Sequence, residues 1–544
     1  MEPFPEIEDD DSGGAAMKFI LLGRVVTMDS AFSVLANGAI YVDGNTITAV
    51  ADGSAPAPNG FAGVKTIQSG GSIYPGFIEL HNHLSYDSLQ MWNVPKKFTN
   101  RGQWQTDLDY EVNVSAPMGV IANSKDPNLL AAVARYSETK CLLGGVTSSQ
   151  GISLKGDNLD TYYRSAMRVV DDPGDSHFPR AATRIPDVDA SDWAKFNQEV
   201  QNASCLLLHL SEGLDAEARD AFLALKNGNQ WAISKALAGI HCAALQPQDF
   251  AVLKSKGGSV VWSPLSNLLL YGGTTDIKAA RSAGLDISLG SDWSPSGSKN
   301  LLNELKVAKT ANAVLALGLS DKDLVAMVTS IPAKIVKWEA LVGSITTGKR
   351  ADFIVIKAGR AADDYSRLIM AAETDVLLLM VDGQPIVGTA PLMSDLGQSG
   401  EAIKLGTETR IINYGGGDPR VPTLTFAEAQ AAMADALSRL PTLLADEKKG
   451  IGVSGRTLVP STGPRLRLAL DEEHLGRYSQ RPRLPFHGKP TGPDATLTAA
   501  KKPVTLKPLP IDPPSVADDP NYGAMIQTQT NIPIAIKVGL RAYY

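Results

Sequence analysis

The run Gly76-Phe77-Ile78-Glu79-Leu80-His81-Asn82-His83 is apolar for most of its length and ends in two histidines that are two residues apart. Side chains at positions i and i+2 of a β-strand point to the same side. If residues 73–80 form a strand, His81 and His83 leave its end together, about one cation apart. Neutral imidazole is the commonest nitrogen ligand for zinc and similar ions. Paired histidines also occur as ordinary surface residues, so further ligands must come from elsewhere in the chain.

The bulk composition is ordinary for a soluble globular protein and gives no attraction to nucleic acid or membranes. The chain has 544 residues, enough for two or three domains, with 44 % hydrophobic residues and a net charge of −7. No apolar run reaches the roughly 18–20 residues of a membrane span. Residues 1–11 are acidic, unlike a signal peptide. We therefore expect a cytoplasmic protein, with residues 1–16 as a disordered leader or a segment added for expression.

The three cysteines, Cys141, Cys205 and Cys242, each lie in an apolar segment. Three cysteines cannot form a disulfide framework. Buried thiols in a reducing compartment are therefore expected, rather than a redox role.

Hydrophobic patterning divides the chain into a central α/β part and flanking β-rich parts. Residues 73–339 alternate apolar runs with helix-like segments, which favours a parallel sheet and most economically a (β/α)8 TIM-like barrel. Short strand-like runs at 17–72 and 340–395 could form one composite β-sandwich domain, built from the N-terminal and post-barrel strands. Residues 396–544 are a C-terminal extension, partly helical and then Pro-rich.

Individual elements follow from the same runs. Central strands are predicted at 145–149, 166–170, 181–185, 204–210, 239–242, 259–263 and 286–290, and helices at 128–143, 216–225, 247–256 and 277–283. Flanking strands are predicted at 18–28, 39–42, 46–50, 353–356 and 376–381, with hairpin turns at Asp43-Gly44-Asn45 and Asp382-Gly383.

The extension is predicted in three pieces. Residues 426–448 have helical spacing, with Thr423 or Thr425 as the N-cap. Residues 455–520 are rich in proline and basic residues and are expected to be extended or flexible. Residues 535–544 could add a strand.

Polar residues that bind metals follow several predicted central strands where each strand ends. His209 closes one apolar run and Glu212 follows it, while His241 and Asp292 close two more. In a (β/α)8 barrel, catalytic groups sit at the C-terminal ends of the strands. The chain has only seven histidines, and four of them occupy such positions. A single histidine would not predict a metal site, but several at equivalent strand ends do.

This set of residues resembles the amidohydrolase superfamily over residues 18–395. The closest pattern is the mononuclear branch of triazine hydrolases, chlorohydrolases and related deaminases. Its hallmarks are His-x-His, His-x-x-Glu, a further His, a Ser-Asn pair and a final Asp. They stand here as His81/His83, His209/Glu212, His241, Ser266/Asn267 and Asp292. Residues 343–352 also look like that superfamily's C-terminal β-domain.

The resemblance implies one divalent metal ion, Zn2+ before Fe2+, with an open position for water. The implied ligands are His81, His83, His209 and Asp292. Such an ion lowers the pKa of bound water towards neutrality. Asp292 would take the water's proton, Glu212 would carry it to the leaving group, and His241 would stabilise the oxyanion. Binuclear members use a carboxylated lysine, and no lysine closes an apolar run between residues 145 and 204, which favours a single ion.

Two segments depart from the purine-type deaminases of this branch. Trp293 follows Asp292, where those enzymes usually have glycine and small residues. The loop after the first central strand carries Trp92, Arg101 and Trp104, which could line a pocket or simply pack within the loop. Asn267 could fix its loop or contact substrate. These departures leave the substrate open.

The sequence therefore predicts an enzyme, a metal-dependent hydrolase acting on carbon–nitrogen bonds other than peptide bonds. The bond would lie in an amide, amidine or heterocyclic amine of a small molecule, making the protein an amidase or deaminase. One alternative is hydrolytic removal of chloride from a heteroaromatic ring. Another is an inactive amidohydrolase-like barrel that serves as a binding scaffold. A homo-oligomer and a partner-binding role for the extension stay open.

Overall fold

The computed structural model describes residues 17–124, 126–156, 159–188, 191–359, 361, 363–448, 466–471 and 504–544. The strands are β1 Lys18–Val26, β2 Val34–Asp43, β3 Thr46–Asp52, β4 Thr66–Pro75, β5 Phe77–Glu79, β6 Val146–Ser149, β7 Ser153–Gly156, β8 Leu159–Tyr162, β9 Arg168–Val169, β10 Ala181–Arg184, β11 Cys205–Leu210, β12 Lys226–Asn227, β13 Gln230–Trp231, β14 Leu237–His241, β15 Ser259–Trp262, β16 Ile287–Leu289, β17 Phe353–Lys357, β18 Val376–Val381, β19 Gln384–Gly388, β20 Glu401–Leu405, β21 Glu408–Ile412 and β22 Arg467–Leu468.

The α-helices are α1 Arg101–Trp104, α2 Leu108–Tyr110, α3 Ala116–Ala122, α4 Pro127–Leu143, α5 Trp193–Asn202, α6 Ala216–Leu223, α7 Pro247–Ser255, α8 Pro264–Tyr271, α9 Ile277–Ser282, α10 Leu301–Leu315, α11 Asp321–Ala326, α12 Ser330–Ile335, α13 Asp364–Met370, α14 Ala390–Asp395, α15 Phe426–Ser438, α16 Leu440–Lys448, α17 Tyr522–Thr528 and α18 Ile534–Leu540. A π-helical turn, Glu111–Ser115, joins α2 to α3. Among the described residues, no helix combines the length and apolar character needed to cross a bilayer.

Strands from before and after the central part join in one nine-stranded sheet. Its order is β20-β21-β19-β18-β17-β4-β1-β2-β3. The join is made by β4, which runs parallel to β1 and antiparallel to β17. The hairpin at Asp382-Gly383 has φ angles of 48° and 73°, as a two-residue turn between twisted strands requires. The second facing sheet that a sandwich needs is not shown in the described residues.

Among its described residues, the central part contains eight parallel strands in two hydrogen-bonded sheets. One sheet has the order β10-β11-β14-β15-β16 and the other β5-β6-β9. Backbone hydrogen bonds connect the two sheets at both junctions. Between β9 and β10, the Ala181 N–H donates to the Val170 carbonyl at 2.9 Å. After β16 and β5, the Asp292 N–H donates to the His81 carbonyl at 2.8 Å. The predicted strands and helices at 128–290 are observed, with ends shifted by no more than two residues. The α/β class is confirmed.

The predicted single strand at 73–80 is wrong, because Gly76 separates β4 from β5. A Cβ on Gly76 would lie 2.2 Å from a methyl carbon of Thr147, so only glycine permits this close approach to β6. Gly290, directly after β16, permits a similar close approach on the other side of β5. A Cβ there would lie 2.4 Å from the Cβ of His81. Gly76 therefore brings β6 close to the start of β5, and Gly290 brings the end of β16 close to His81.

The extension differs from its prediction in two places. The predicted helix at 426–448 breaks at Arg439 into α15 and α16, although the N-cap at Thr425 is confirmed by a capping box with Glu428. The predicted strand at 535–544 is wrong. That segment forms α18, which packs against α10. Of the extended segment predicted at 455–520, residues 455–465 and 472–503 lie outside the described residues, as do residues 1–16.

Buried ion pairs anchor the end of the chain to the central part. Lys140 donates to the Asp512 carboxylate at 2.7 Å, and Lys299 donates to Asp512 at 2.6 Å and to Asp519 at 2.9 Å. All four side chains are almost fully buried, and a buried charge is tolerated only when it is paired. Residues 504–544 are therefore part of the folded body. The three cysteines are buried free thiols, as predicted.

Candidate metal centre

The four side chains predicted as metal ligands converge on one point. The Nε2 atom of His209 lies 3.1 Å from Nε2 of His81 and 3.2 Å from Nε2 of His83. The Oδ1 atom of Asp292 lies 3.5 Å and 3.6 Å from the same two nitrogens of His81 and His83. Tetrahedral ligands about 2.0–2.1 Å from zinc are about 3.3–3.4 Å apart. The four separations are therefore close to those between the ligands of a tetrahedral ion.

Hydrogen bonds on the opposite ring nitrogens fix two of these histidines. The Nδ1 atom of His83 lies 2.7 Å from a carboxylate oxygen of Asp471, and Nδ1 of His81 lies 2.7 Å from the Ser263 hydroxyl. A carboxylate only accepts hydrogen bonds, so Nδ1 of His83 carries a proton and Nε2 is the ring nitrogen that faces the cluster. Metal-binding histidines commonly donate their second N–H in this way.

His241 lies beside this cluster, but its hydrogen bonds give it a different role. Trp262 Nε1–H can only donate, and it donates to the Thr274 hydroxyl at 2.7 Å. The Thr274 hydroxyl is then free to donate to Oδ1 of Asn267, at 3.2 Å. This turns the Asn267 amide N–H towards Nδ1 of His241, at 3.0 Å. His241 therefore carries its proton on Nε2 and faces the cluster as a donor.

Backbone strain accompanies two of the site residues. His241 ends β14 with φ at 65°, and Asp292 follows β16 with φ at 62°. This left-handed region is uncommon for residues other than glycine, although asparagine, aspartate and histidine occupy it more often than the rest. Strain of this kind is retained where the surrounding structure holds a side chain in a needed position. Here the strained turns aim both side chains into the cluster.

Burial controls the charge of the cluster. It lowers the pKa of His81 and His209 well below the usual histidine value, and it lowers that of His241 to about 4. Burial is the largest effect on His83 too, but the charge and hydrogen bond of Asp471, together with the charges of Asp292 and Glu212, outweigh it and raise the His83 pKa to about 9. Burial also raises the pKa of Asp292 to about 7. The rings of His81, His209 and His241 are thus neutral at pH 7, and neutral imidazole is the form that binds a metal ion.

Glu212 lies on the other side of His241. One of its carboxylate oxygens accepts a hydrogen bond from the Tyr271 hydroxyl at 2.7 Å. Its second oxygen lies 3.6 Å from the Arg101 guanidinium and 3.7 Å from Nε2 of His241. Trp104 Nε1–H donates to the Tyr271 hydroxyl at 2.8 Å, so that hydroxyl must donate to Glu212. The carboxylate is held with one oxygen turned towards His241.

A cavity opens above the cluster, and aromatic side chains line much of it. Arg101, Trp104 and Trp293 are among its lining residues, together with Glu212, His241 and Asp471. Two predicted substrate contacts lie elsewhere in the described structure. Trp92 packs behind the lining on Phe98 and Tyr110 and donates to Asp109 at 2.6 Å. The Asn267 side chain instead donates its amide N–H to Nδ1 of His241.

Sequence reasoning missed several residues of the site. Tyr271 lies at the end of α8, four positions after Asn267 of the predicted Ser-Asn pair, and Ser263 directly precedes the same helix. Their hydrogen bonds depend on neighbouring strands, which the local sequence does not show. Asp471 lies in a segment without periodicity and gave no signal. Within the described residues, two groups of potential ligands converge: His81, His209 and His241, and His81, His83 and Asp292.

Residues 217–386 match the family described as the amidohydrolase family. The chain is 25 % identical over 419 residues to a 5-methylthioadenosine/S-adenosylhomocysteine deaminase of Symbiobacterium thermophilum, covering 66 % of this chain and 91 % of that protein. A match to a protein of the same name from Caldanaerobacter subterraneus is 31 % identical over 27 % of this chain, but it spans only 36 % of that relative's length.

Two solved structures share the fold. The zinc-bound adenosine deaminase of Xanthomonas campestris superimposes with a TM-score of 0.58 at 17 % identity, covering 78 % of this chain and 99 % of that one. The zinc complex of atrazine chlorohydrolase from Arthrobacter aurescens TC1 has a TM-score of 0.54 at 20 % identity, covering 68 % and 95 %. Fold, motif order and sequence similarity agree. The chain therefore resembles amidohydrolases in sequence over residues 217–386, and it shares its fold with these two structures.

Proposed function

We propose that this protein is a metal-dependent hydrolase that cleaves a carbon–nitrogen bond of a small molecule, as a deaminase or amidase. The observation that carries the proposal is the convergence of three imidazole nitrogens and one carboxylate oxygen beside Glu212 and His241. The relatives named as deaminases support the same reaction class. The proposed ligands are His81, His83, His209 and Asp292, and the proposed ion is one Zn2+. Imidazole also binds iron, so Fe2+ is the second candidate.

The fold that positions the site is proposed to be a closed (β/α)8 barrel spanning 73–339. The two backbone hydrogen bonds between the parallel sheets support closure. Residues 17–72 and 340–395 would form the accompanying β-domain, and residues 396–544 the extension. Parallel strands in a closed barrel present their C-terminal ends at one face, which accounts for the gathering of the site residues there.

Each group near the cluster has a task in hydrolysis. When bound, a divalent cation lowers the pKa of a coordinated water and so supplies hydroxide at neutral pH. Asp292 accepts the proton that the water loses. His241 donates its Nε2–H to the oxyanion that develops on the attacked carbon. Neutral imidazole suits this role, because its tautomer is already set by Asn267.

Glu212 is placed to receive that proton from Asp292 and to deliver it to the leaving nitrogen. Tyr271 occupies one carboxylate oxygen, and the other faces His241 and the cavity. Arg101 limits its freedom and shares its charge. Protonation of the leaving group allows ammonia or an amine to depart, and general acid–base catalysis of this kind contributes about 10²–10⁴ in rate.

Metal content and product analysis test the proposal. The purified protein should hold one zinc per chain and release ammonia or amine from a panel of aminoheterocycles, amides and amidines. His209→Ala should lose both metal and turnover, while Glu212→Gln should keep zinc and lose about 10²–10⁴ in rate. His177→Ala, a change at an exposed histidine paired with Asp175, serves as the control.

Two outcomes would contradict the proposal. Absence of stoichiometric transition metal, with His209→Ala behaving like the wild type, would leave a binding scaffold as the better account. Release of chloride from chloroheterocycles, without release of ammonia or amine from any substrate of the panel, would assign the same machinery to dechlorination.

A further inference from the structure

We propose that Asp471 is a positioning residue for the metal centre and that the C-terminal extension supplies it. Its carboxylate holds His83 in the tautomer and orientation that present Nε2 to the ion. The inference rests on the proposed metal-dependent function. It gives the extension a task inside the site, as distinct from a partner-binding role.

The geometry at His83 carries the proposal. An Asp471 carboxylate oxygen lies 2.7 Å from Nδ1 of His83, a normal distance for a charge-assisted hydrogen bond. On the opposite edge of the same ring, Nε2 lies 3.2 Å from Nε2 of His209 and 3.6 Å from Oδ1 of Asp292. One imidazole therefore joins the extension to the cluster. Asp471 also lines the cavity above the site.

A short strap, residues 466–471, brings Asp471 to this position. Its strand β22 pairs with β7 in antiparallel register, with Arg467 opposite Lys155 and Leu468 opposite Leu154. The Ala469 N–H then donates to the Ser153 carbonyl at 2.9 Å. Leu468, Ala469 and Leu470 are all buried. These contacts dock the strap against the central part.

Asp471 itself is held by one more contact. Its backbone N–H donates to the Tyr86 hydroxyl at 3.2 Å, and Tyr86 packs edge-on against Trp293 at 5.0 Å between ring centroids. Trp293 in turn lies 5.5 Å from the His83 ring. Contacts through Tyr86 and Trp293 thus connect the backbone of Asp471 to the His83 ring, while its carboxylate accepts from Nδ1 of the same ring.

The neighbouring ligand His81 provides a contrast. Its Nδ1 is paired with the Ser263 hydroxyl, a neutral group at the end of β15. His83 instead has a charged partner from a distant part of the chain. Removing a hydrogen-bonded partner of a metal ligand typically weakens metal affinity by about 10- to 100-fold. The extension should therefore contribute this factor to zinc binding.

Zinc affinity of the full-length protein tests this inference, measured by competition with a chromophoric chelator. Asp471→Ala should weaken zinc binding by about 10- to 100-fold. Asp471→Asn keeps an acceptor oxygen but no charge, so its affinity should fall between those of Asp471→Ala and the wild type. The visible spectrum of the Co2+-loaded protein should change in the same order. Asp435→Asn, at an exposed carboxylate paired with Arg439 in the same extension, should change neither.

Zinc affinities of Asp471→Ala and Asp471→Asn within twofold of the wild type would overturn the inference. If Asp471→Ala does not fold, the nearly isosteric Asp471→Asn carries the comparison alone. A wild type that binds zinc tightly but turns over no substrate in the panel would sink the proposed function, while the affinity ratio would still decide the role of Asp471. A wild type without zinc affinity would overturn both.

Discussion

Gly290 offers a direct test of how strand packing sets the metal centre. A Cβ at this position would lie 2.4 Å from the Cβ of His81, whereas ordinary carbon contacts begin at 3.4 Å. Gly290→Ala must therefore push β16 and the end of β5 apart by about 1 Å. Asp292 follows β16 and His81 follows β5, so this displacement separates two ligands directly. Functional geometry tolerates only about 0.5 Å of displacement.

We expect Gly290→Ala to weaken zinc affinity by at least about tenfold and to destabilise the metal-free protein by about 1–3 kcal/mol, the usual cost of overpacking a core. Chelator competition measures the first effect and urea unfolding the second. Gly119→Ala is the matched control, because Gly119 lies in α3 with open space around the added methyl group. It should leave zinc affinity unchanged and stabilise the helix slightly. Wild-type zinc affinity in Gly290→Ala would refute the reasoning.

Two further predictions concern the hydrogen bond from Asn267 to His241 and the buried carboxyl group of Glu304. Asn267→Ala should keep zinc but lower the rate at least about tenfold, because His241 loses the donor that sets its tautomer; an unchanged rate would show that the tautomer does not matter. Glu304 is buried, which raises the pKa of its carboxyl to about 8 from 4.5, so the folded state binds a proton that the unfolded state releases between these values. The wild type should therefore lose stability as pH rises from about 5 to 8, relative to Glu304→Gln, whose side chain stays neutral. Urea unfolding of both proteins at pH 6 and pH 8.5 measures this, and an equal pH dependence of the two would contradict it.

Much of the site could be predicted because its residues occupy local, repeated positions in the sequence. His209 and His241 end buried strands, and Asp292 follows one, so an apolar run followed by a polar residue reports each of them. Their separation in space is then fixed by parallel pairing, since neighbouring strands end at one edge. The sequence pattern therefore carried most of the information about the ligands.

The missed partners depend on contacts that no local pattern encodes. Asp471 reaches His83 only because Leu468 and its neighbours dock the strap on β7. Tyr271 became important through a hydroxyl that joins Trp104 to Glu212. For Trp92, the structure favours the second alternative, packing within the loop. Its ring is large and lies in the expected loop, but aromatic packing against Phe98 and Tyr110 buries it away from the cavity.

Helix α18 shows how tertiary packing decides whether an apolar segment forms a strand or a helix. In Ile534–Leu540 the β-branched residues favour a strand by propensity. The buried residues, however, are Ile536 and Leu540, which are four apart and share one helical face. Gly539 lets this face approach α10, because a Cβ there would lie 2.5 Å from the Thr310 methyl carbon. Contact with α10 outweighs the local preference.

The central claim is that four side chains hold one ion at a defined point, and an anomalous diffraction map of zinc-loaded crystals tests it most directly. The account predicts a single strong peak at the zinc edge, about 2.0–2.2 Å from Nε2 of His81, His83 and His209 and from a carboxylate oxygen of Asp292. Nδ1 of His83 should remain on Asp471. A peak ligated by Nδ1 atoms, a second peak of equal height in the cavity, or no peak within reach of these four side chains would contradict the account.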